Sequence, residues 1–541
     1  MDLCHRCLLL VHCPNHRHHC FTQQTQLPVY CSATARFFAL FRSIAVTTVS
    51  LGVCFEGYNL SMQRNGQQTD QGLLYEQVAT HVSEMITSGA LQPGERLPSV
   101  RQLCKQLSVS VSTVMQAYRK LEDQQVIRAV PQSGYYVRQS RMSIQLPTAS
   151  DNAPYPKELD AISLSARIAE DMTQPGMLQL GAALPDSQVL PIDKINKLFG
   201  QVTRTYGPQA HDYAVPPGRL ELRRQIAKRL IDSGCSVNPD DILVTTGATE
   251  AISLSLRAVT EPGDVVAIES PTFFFFLDMI RCMKLKVQEI ATHPDTGMDL
   301  DALENAMQQK QIRVILLASN FPNPLGTLMP SENKQRLVEL ARRYNVTIIE
   351  DEIYGDLSFD GTRPVSLRAF DDGQTVITLG SFSKTISPGL RVGWCVPGKY
   401  KAQVMDLKLT TDHASATLPQ LLVATYLEQH GYDHHLRKLR KRYQKQVDQF
   451  RQAIARYFPA GTRITRPKGG YIIWVQMSVK VDTMKLHHDA IKHDISIAPG
   501  EIFSAIGRYK NCMRINCGLV WSEKIEAAIK TLGELVKAQM G

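Results

Sequence analysis

The residues best suited to chemistry are a lysine set among small hydroxyls and an arginine, Ser381-Phe382-Ser383-Lys384-Thr385-Ile386-Ser387-Pro388-Gly389-Leu390-Arg391. An apolar run rich in β-formers, residues 375–380, leads in, and another apolar run follows Arg391. The spacing predicts a short polar turn between two buried strands. Hydroxyls, exposed backbone N–H groups and a guanidinium in one loop make a pocket for a doubly charged phosphate. A lysine in such a partly desolvated place loses basicity and can condense with an aldehyde. Alone, a Ser-x-x-Lys is more often a surface lysine in a serine-rich loop. The rest of the chain must supply the context.

It does so through apolar runs that end in polar turns. Residues 242–246 run into Gly247-Ala248-Thr249-Glu250, and residues 265–269 into Ser270-Pro271-Thr272-Phe273. Residues 314–318 lead to Asn320-Phe321-Pro322-Asn323-Pro324-Leu325-Gly326, and residues 346–351 close on Glu350-Asp351. Strands this apolar, separated by helical stretches, predict an α/β fold with a mostly parallel sheet covered on both faces. Ligands should gather at the strand ends, where these turns lie.

In order along residues 176–541, these motifs resemble the fold-type I pyridoxal-phosphate enzymes of the aminotransferase class I/II family. The resemblance implies pyridoxal 5'-phosphate as cofactor, held by Lys384 as an internal aldimine. Asp351 would pair with the pyridine nitrogen, and Asn323 and Tyr354 would donate to the phenolic oxygen. Phe273 would stack on the ring, in a run that lacks the tyrosine common there. Ala248 and Thr249 at a helix N-terminus, with Ser381 and Arg391, would bind the phosphate. Tyr213 would reach the phosphate of a neighbouring subunit, implying a homodimer, and Arg514 would grip a substrate α-carboxylate. Lys384, Asp351 and Tyr354 would be the catalytic set.

Upstream, residues 73–89 carry an apolar helical repeat. Leu97-Pro98-Ser99 then caps a short helix from Val100 to Leu107, and Ser108-Val109-Ser110 turns into a second helix from Val111. Two short helices joined so tightly make a helix-turn-helix. Residues 126–130 and 134–137 flank Pro131-Gln132-Ser133 as a hairpin wing. Residues 71–139 resemble the winged helix of GntR-type transcription regulators. That resemblance sets Arg101, Ser110, Thr113 and Gly134 against DNA. Gln116 and Arg119 share the second helix and point to bases or phosphates. Many relatives carry an arginine where this chain has Val111, which implies a different operator.

At 541 residues, with 43% hydrophobic and 21% charged residues, the chain has room for several soluble domains. The formal net charge of +9 is a mild pull toward polyanions. Of twelve cysteines, Cys4, Cys7, Cys13, Cys20, Cys31 and Cys54 cluster near the start, and the others are scattered singly, as in a reduced cytoplasmic protein. The early Cys/His tract matches no regular zinc spacing, so no metal is expected. The apolar stretch 37–55 contains Arg42, which argues against a membrane span. Residues 1–61 read as a non-native or disordered extension, and residues 140–175 as a linker with an amphipathic stretch at 159–172.

A GntR-type winged helix fused to an aminotransferase-like domain resembles the MocR subfamily. The resemblance implies a cofactor-dependent DNA-binding regulator, sensing an amino acid, another amino compound or the cofactor itself. The alternative is a working aminotransferase with an accessory DNA-binding domain. The same atoms serve both; the intact helix-turn-helix favours the regulator.

Overall fold

Among the described residues, three helices and a hairpin build the N-terminal module. Val78 and Val82 on α1 (Leu74–Thr87), Leu103 on α2 (Val100–Leu107), and Val114, Ala117, Tyr118 and Leu121 on α3 (Val111–Asp123) recur at helical spacing and are buried. Ser99 caps α2 by accepting the Gln102 N–H at 3.3 Å. Ser108 ends that helix in the left-handed conformation, φ 52°. Ser110 then caps α3, its Oγ accepting the Thr113 N–H at 3.1 Å. Tyr118 donates to the Pro98 carbonyl at 2.8 Å and so ties α3 to the start of α2. β1 (Ile127–Val130) and β2 (Gly134–Val137) pair antiparallel as the wing, with Val130 opposite Gly134.

The protein is seen here as a computed structural model that describes residues 74–87, 90–92, 94–123, 126–137, 144–152, 156, 176–309, 312–429 and 431–541. The expectations for residues 1–61 and for the amphipathic stretch 159–172 lie outside the described residues.

In the large domain, β3 (Leu178–Gln179) pairs in parallel with the short strand Ile495–Ser496. The main sheet has eight strands: β4 (Leu243–Thr245), β5 (Val265–Ser270), β6 (Lys286–His293), β7 (Gly297–Met298), β8 (Ile312–Leu317), β9 (Thr347–Asp351), β10 (Val376–Ser381) and β11 (Gly393–Val396). Their order is β4-β11-β10-β9-β8-β5-β6-β7. Strands β6, β5, β8, β9 and β10 run parallel, and antiparallel pairs close both edges. Alternation decides which face each residue serves. Val266, Ile268, Val314, Leu316, Ile349 and Ile377 pack with helices Ala248–Val259 and Phe274–Cys282. Ala267, Ile315, Leu317, Ile348 and Val376 pack with helices Leu300–Gln308 and Ser331–Arg343. Both faces are therefore dry, which is why the strands read as continuous apolar runs.

A second, four-stranded antiparallel sheet carries Arg514 on the strand Cys512–Asn516. The stretch read as linker is partly laid down on the large domain. Gln145 accepts the Ile464 N–H at 3.0 Å, and the Thr148 N–H donates to Gln476 at 2.9 Å. Ser150 donates to the Ser270 carbonyl at 3.1 Å, and Asn152 accepts the Ala291 N–H at 2.8 Å. Its polar residues find fixed partners, so composition alone understated its order. Among the described residues no helix is long and apolar enough to cross a membrane, and no cluster of His, Cys, Asp or Glu could hold a metal.

Replacing Tyr118 with Phe removes the bond to Pro98 while keeping the ring. A local loss of about 1 kcal/mol is expected. Hydrogen exchange should quicken across α2 and α3, with the large domain unaffected.

Candidate ligand cleft and DNA-reading face

At the carboxyl ends of β5, β8, β9 and β10 a cleft of about 820 Å³, counted to its open mouth, is lined by Lys384, Asp351, Tyr354, Asn323, Phe273, Ala248, Thr249 and Arg391. Residues up to 143 positions apart are thus brought together as the strand-end argument expects. Lys384 extends from the turn after β10, its tip open to the cleft, and donates to the Ala183 carbonyl at 2.8 Å. Burial of that amine, reinforced by Arg514, pulls its pKa down to about 8, although Asp351 acts the other way. Asp351 ends β9. Burial pushes its carboxyl up to about 6, against the Ile353 N–H, which it accepts at 3.0 Å, and against Lys384.

The phosphate end has its own geometry. Helix Ala248–Val259 starts from Gly247 (φ 83°), which offers no side-chain cap. Its first N–H groups therefore lack intrahelical acceptors, and Ala248 and Thr249 face the cleft. Arg391 donates to the Thr246 carbonyl at 3.1 Å beside them. A Cβ on Gly247 would lie 2.6 Å from the Arg391 guanidinium, and one on Gly393 would lie 2.5 Å from the Gly247 carbonyl carbon. Glycine at both positions is what lets β11, the helix start and the arginine converge.

Three predicted residues sit differently. Ser381 lies one step behind the cleft: its hydroxyl meets Ser383 Oγ at 2.8 Å and donates to the Val392 carbonyl at 3.1 Å, and it is Ser383 that lines the cleft. Arg514 is buried behind Asn323, donating to its Oδ1 at 3.1 Å and to the Gly181 carbonyl, and its Nε has no partner among the described residues. Phe503 lies 5.2 Å from the guanidinium. Tyr213 is 81% exposed and outside the cleft of its own chain, its ring edge-on to His413 at 5.3 Å. Reading by motif passed over Ser383 and Glu269, which also line the cleft. Glu269 accepts the Ala318 N–H at 3.2 Å, and burial raises it to about 8. Its place at the end of an apolar strand was the available signal.

On the N-terminal module, Arg101, Gln116 and Arg119 are exposed, the last two sharing one face of α3. The Ser110 hydroxyl is committed to capping, within 2.7 Å of both Ser112 Oγ and Thr113 Oγ1. Val111 is 57% exposed, an apolar side chain at the start of this helix. Gly134 opens β2 at φ 104° and is exposed.

A mostly parallel sheet whose strand ends join a half-buried lysine to a buried carboxylate, an uncapped helix N-terminus beside an arginine and a second, recessed arginine defines the aminotransferase class of fold. Residues 178–532 match the model of aminotransferase class I and II, and residues 74–137 that of bacterial regulatory proteins of the gntR family. The chain belongs to the aminotransferase class I and II family, joined to a gntR-family winged helix as in the MocR-type transcription regulators. It is 37% identical over 466 residues to the uncharacterized HTH-type transcriptional regulator YjiR of Escherichia coli (strain K12), covering 86% of this chain and 99% of that one. It superposes on the Pyrococcus horikoshii kynurenine aminotransferase, a complex with PMP, with a TM-score of 0.66 and 30% identity over 71% of this chain and 96% of that one. For LysN, the α-aminoadipate aminotransferase of Thermus thermophilus, bound to N-(5'-phosphopyridoxyl)-L-leucine, the values are 0.63 and 27%, over 70% and 99%.

In cofactor-free protein, arylation of Lys384 by 1-fluoro-2,4-dinitrobenzene should rise through a midpoint near pH 8. The neutral, nucleophilic amine appears as pH climbs through its lowered pKa, whereas ordinary lysines need pH above about 10. Asp351→Asn should move the midpoint down and Arg514→Gln should move it up, as peptide mass mapping would read. A midpoint near 10 would contradict the desolvated geometry.

Proposed function

We propose that this chain is a homodimeric, cytoplasmic DNA-binding regulator whose large domain holds pyridoxal 5'-phosphate and senses an amino compound there. The observation that carries this reading is Lys384 and Asp351 in one partly closed cleft, on a chain whose α3 leaves Gln116 and Arg119 open. Pyridoxal phosphate brings an aldehyde that accepts an amine and a ring that withdraws electrons from it. Lys384 would hold the aldehyde carbon, and Asp351 would keep a proton on the ring nitrogen. Asn323 and Tyr354 would donate to the phenolic oxygen, and Phe273 would cover the ring.

The N–H groups of Ala248 and Thr249, the hydroxyls of Ser383 and Ser381, and Arg391 would take the phosphate; this donor set suits a dianion. Arg514 would meet a ligand carboxylate once Asn323 shares its guanidinium. The exposure of Tyr213 supports a dimer in which it reaches the partner's cleft. Arg101, Ser110, Thr113, Gln116, Arg119 and Gly134 would face DNA, with Gln116 and Arg119 reading bases or phosphates. A ligand acts on DNA only so far as it prefers one of two arrangements of the winged helices.

A working aminotransferase is the second reading. The Lys384 pKa of about 8 favours it, because an amine so tuned can also carry protons near neutral pH.

Borohydride reduction of protein loaded with pyridoxal phosphate should add the cofactor mass to the Lys384 peptide and to no peptide in Lys384→Ala. Arg119→Ala should weaken DNA binding and lower its salt slope by about 1, with the cofactor spectrum intact. Lys384→Ala should keep basal DNA binding and lose a ligand response on the order of 1–3 kcal/mol. Rapid turnover of common amino acids, with no operator recovered by genomic selection, would favour the enzyme.

A further inference from the structure

The helix Gly431–Tyr457 turns Leu436, Leu439, Tyr443, Val447 and Phe450 inward. Its other face carries Arg437, Lys438, Lys441, Arg442 and Lys445, all exposed. At about 1.5 Å per residue these five cations occupy roughly 12 Å of helix. None of them has an ion pair among the described residues. Some surface cations elsewhere in this domain are paired, Arg336 with Asp301 at 2.5 Å, Lys401 with Asp241 at 3.0 Å and Lys492 with Asp489 at 2.7 Å, and exposed cations without a pair among the described residues, such as Lys480, Lys524 and Lys537, are spaced apart rather than set in a row. Arg456, on the same helix, meets Glu526 at 3.5 Å. Of the acids on this helix, Asp433 is taken by Arg229, and half-buried Asp448 lies near Arg451 and Arg466.

Arg437 and Lys441, Lys438 and Arg442, and Lys441 and Lys445 are each four residues apart. Side chains at that spacing are neighbours, so the stripe repels itself and destabilises its own helix until an anion relieves it. A single small anion cannot meet a row of this length. Double-stranded DNA, with one charge per about 1.7 Å of axis, can meet several of its members at once. The winged helix already brings DNA to this chain, and being on one chain raises the effective concentration of the second contact.

We infer that this stripe on the aminotransferase-class domain is a second DNA contact, directed at the phosphate backbone outside the site read by α3. It carries no base specificity. It lengthens the footprint and makes affinity depend on DNA length and salt.

The test compares the full-length protein with Lys438→Gln/Lys441→Gln/Lys445→Gln on random-sequence duplexes of ~15 and ~60 bp across a salt series. The long duplex should bind the unaltered protein more tightly. The triple variant should lose that gain, and its salt slope on the long duplex should fall by about 2–3, since each phosphate contact contributes about 0.9. Its thermal midpoint should stay level or rise. Arg437→Gln/Arg442→Gln should reproduce the effect, and Arg119→Ala should weaken both duplexes alike. An unchanged slope on the long duplex in both stripe variants overturns the inference. So does a loss confined to phosphatidylserine vesicles with DNA binding intact, which would assign the stripe to a lipid surface.

Discussion

Lys384 carries its amine into a site dry enough to bring its pKa to about 8, and the Ala183 carbonyl is its hydrogen-bond acceptor. Keeping a cationic group there costs stability, and the surroundings are arranged around that cost. Asp351 in the same cleft partly offsets it, while Arg514 behind Asn323 adds to it. The carboxyl is itself raised by burial, so neither partner is comfortable as an ion. Two groups strained toward neutrality make a site able to accept a ligand that satisfies both.

The strands hold this pair in place through a polar layer behind the cleft. Along β9 and the turn after it, Asp351 and Tyr354 face the ligand side, while Glu350, Glu352 and Asp356 face inward. Glu350 accepts from Ser319, Ser366 and Thr378 and from the Leu367 N–H, joining β8, β9 and β10. Arg363 bridges Glu352 at 3.3 Å and Asp356 at 3.1 Å. Burial raises Glu352 to about 7; Asp356, despite its burial, is held below the usual range by Arg363 and Arg229. Removing one member would strand a buried charge, typically about 3–5 kcal/mol. Tyr432 donates to Asp356 at 2.7 Å and meets Thr385 Oγ1 at 2.9 Å, so this layer reaches the residue next to Lys384.

That same tyrosine begins the helix whose outer face carries the basic stripe. The strap 144–152 follows the wing in sequence and is bonded to Ser270, three residues before Phe273. Covalent order and hydrogen bonds thus give the cleft two physical routes outward.

Much of this was written locally. Strand-end turns, the Ser-x-x-Lys loop, the capped helices and the wing depend on short-range sterics, capping and periodicity, so their residues disclose them. The cleft's membership was legible because a parallel sheet forces such turns to one edge. Tertiary structure alone decided that Ser383 fronts the cleft with Ser381 behind, that Arg514 is already engaged, and that Glu269 joins the lining. Each depends on which face of a turn or strand meets a neighbour distant in the chain. The ordered strap was hidden for the same reason: its bonds are to residues more than a hundred positions away, and composition reports only local preference. The five cations between 437 and 445 share one exposed helix face, and only the fold could show that, among the described residues, no carboxylate from another element had come to pair them.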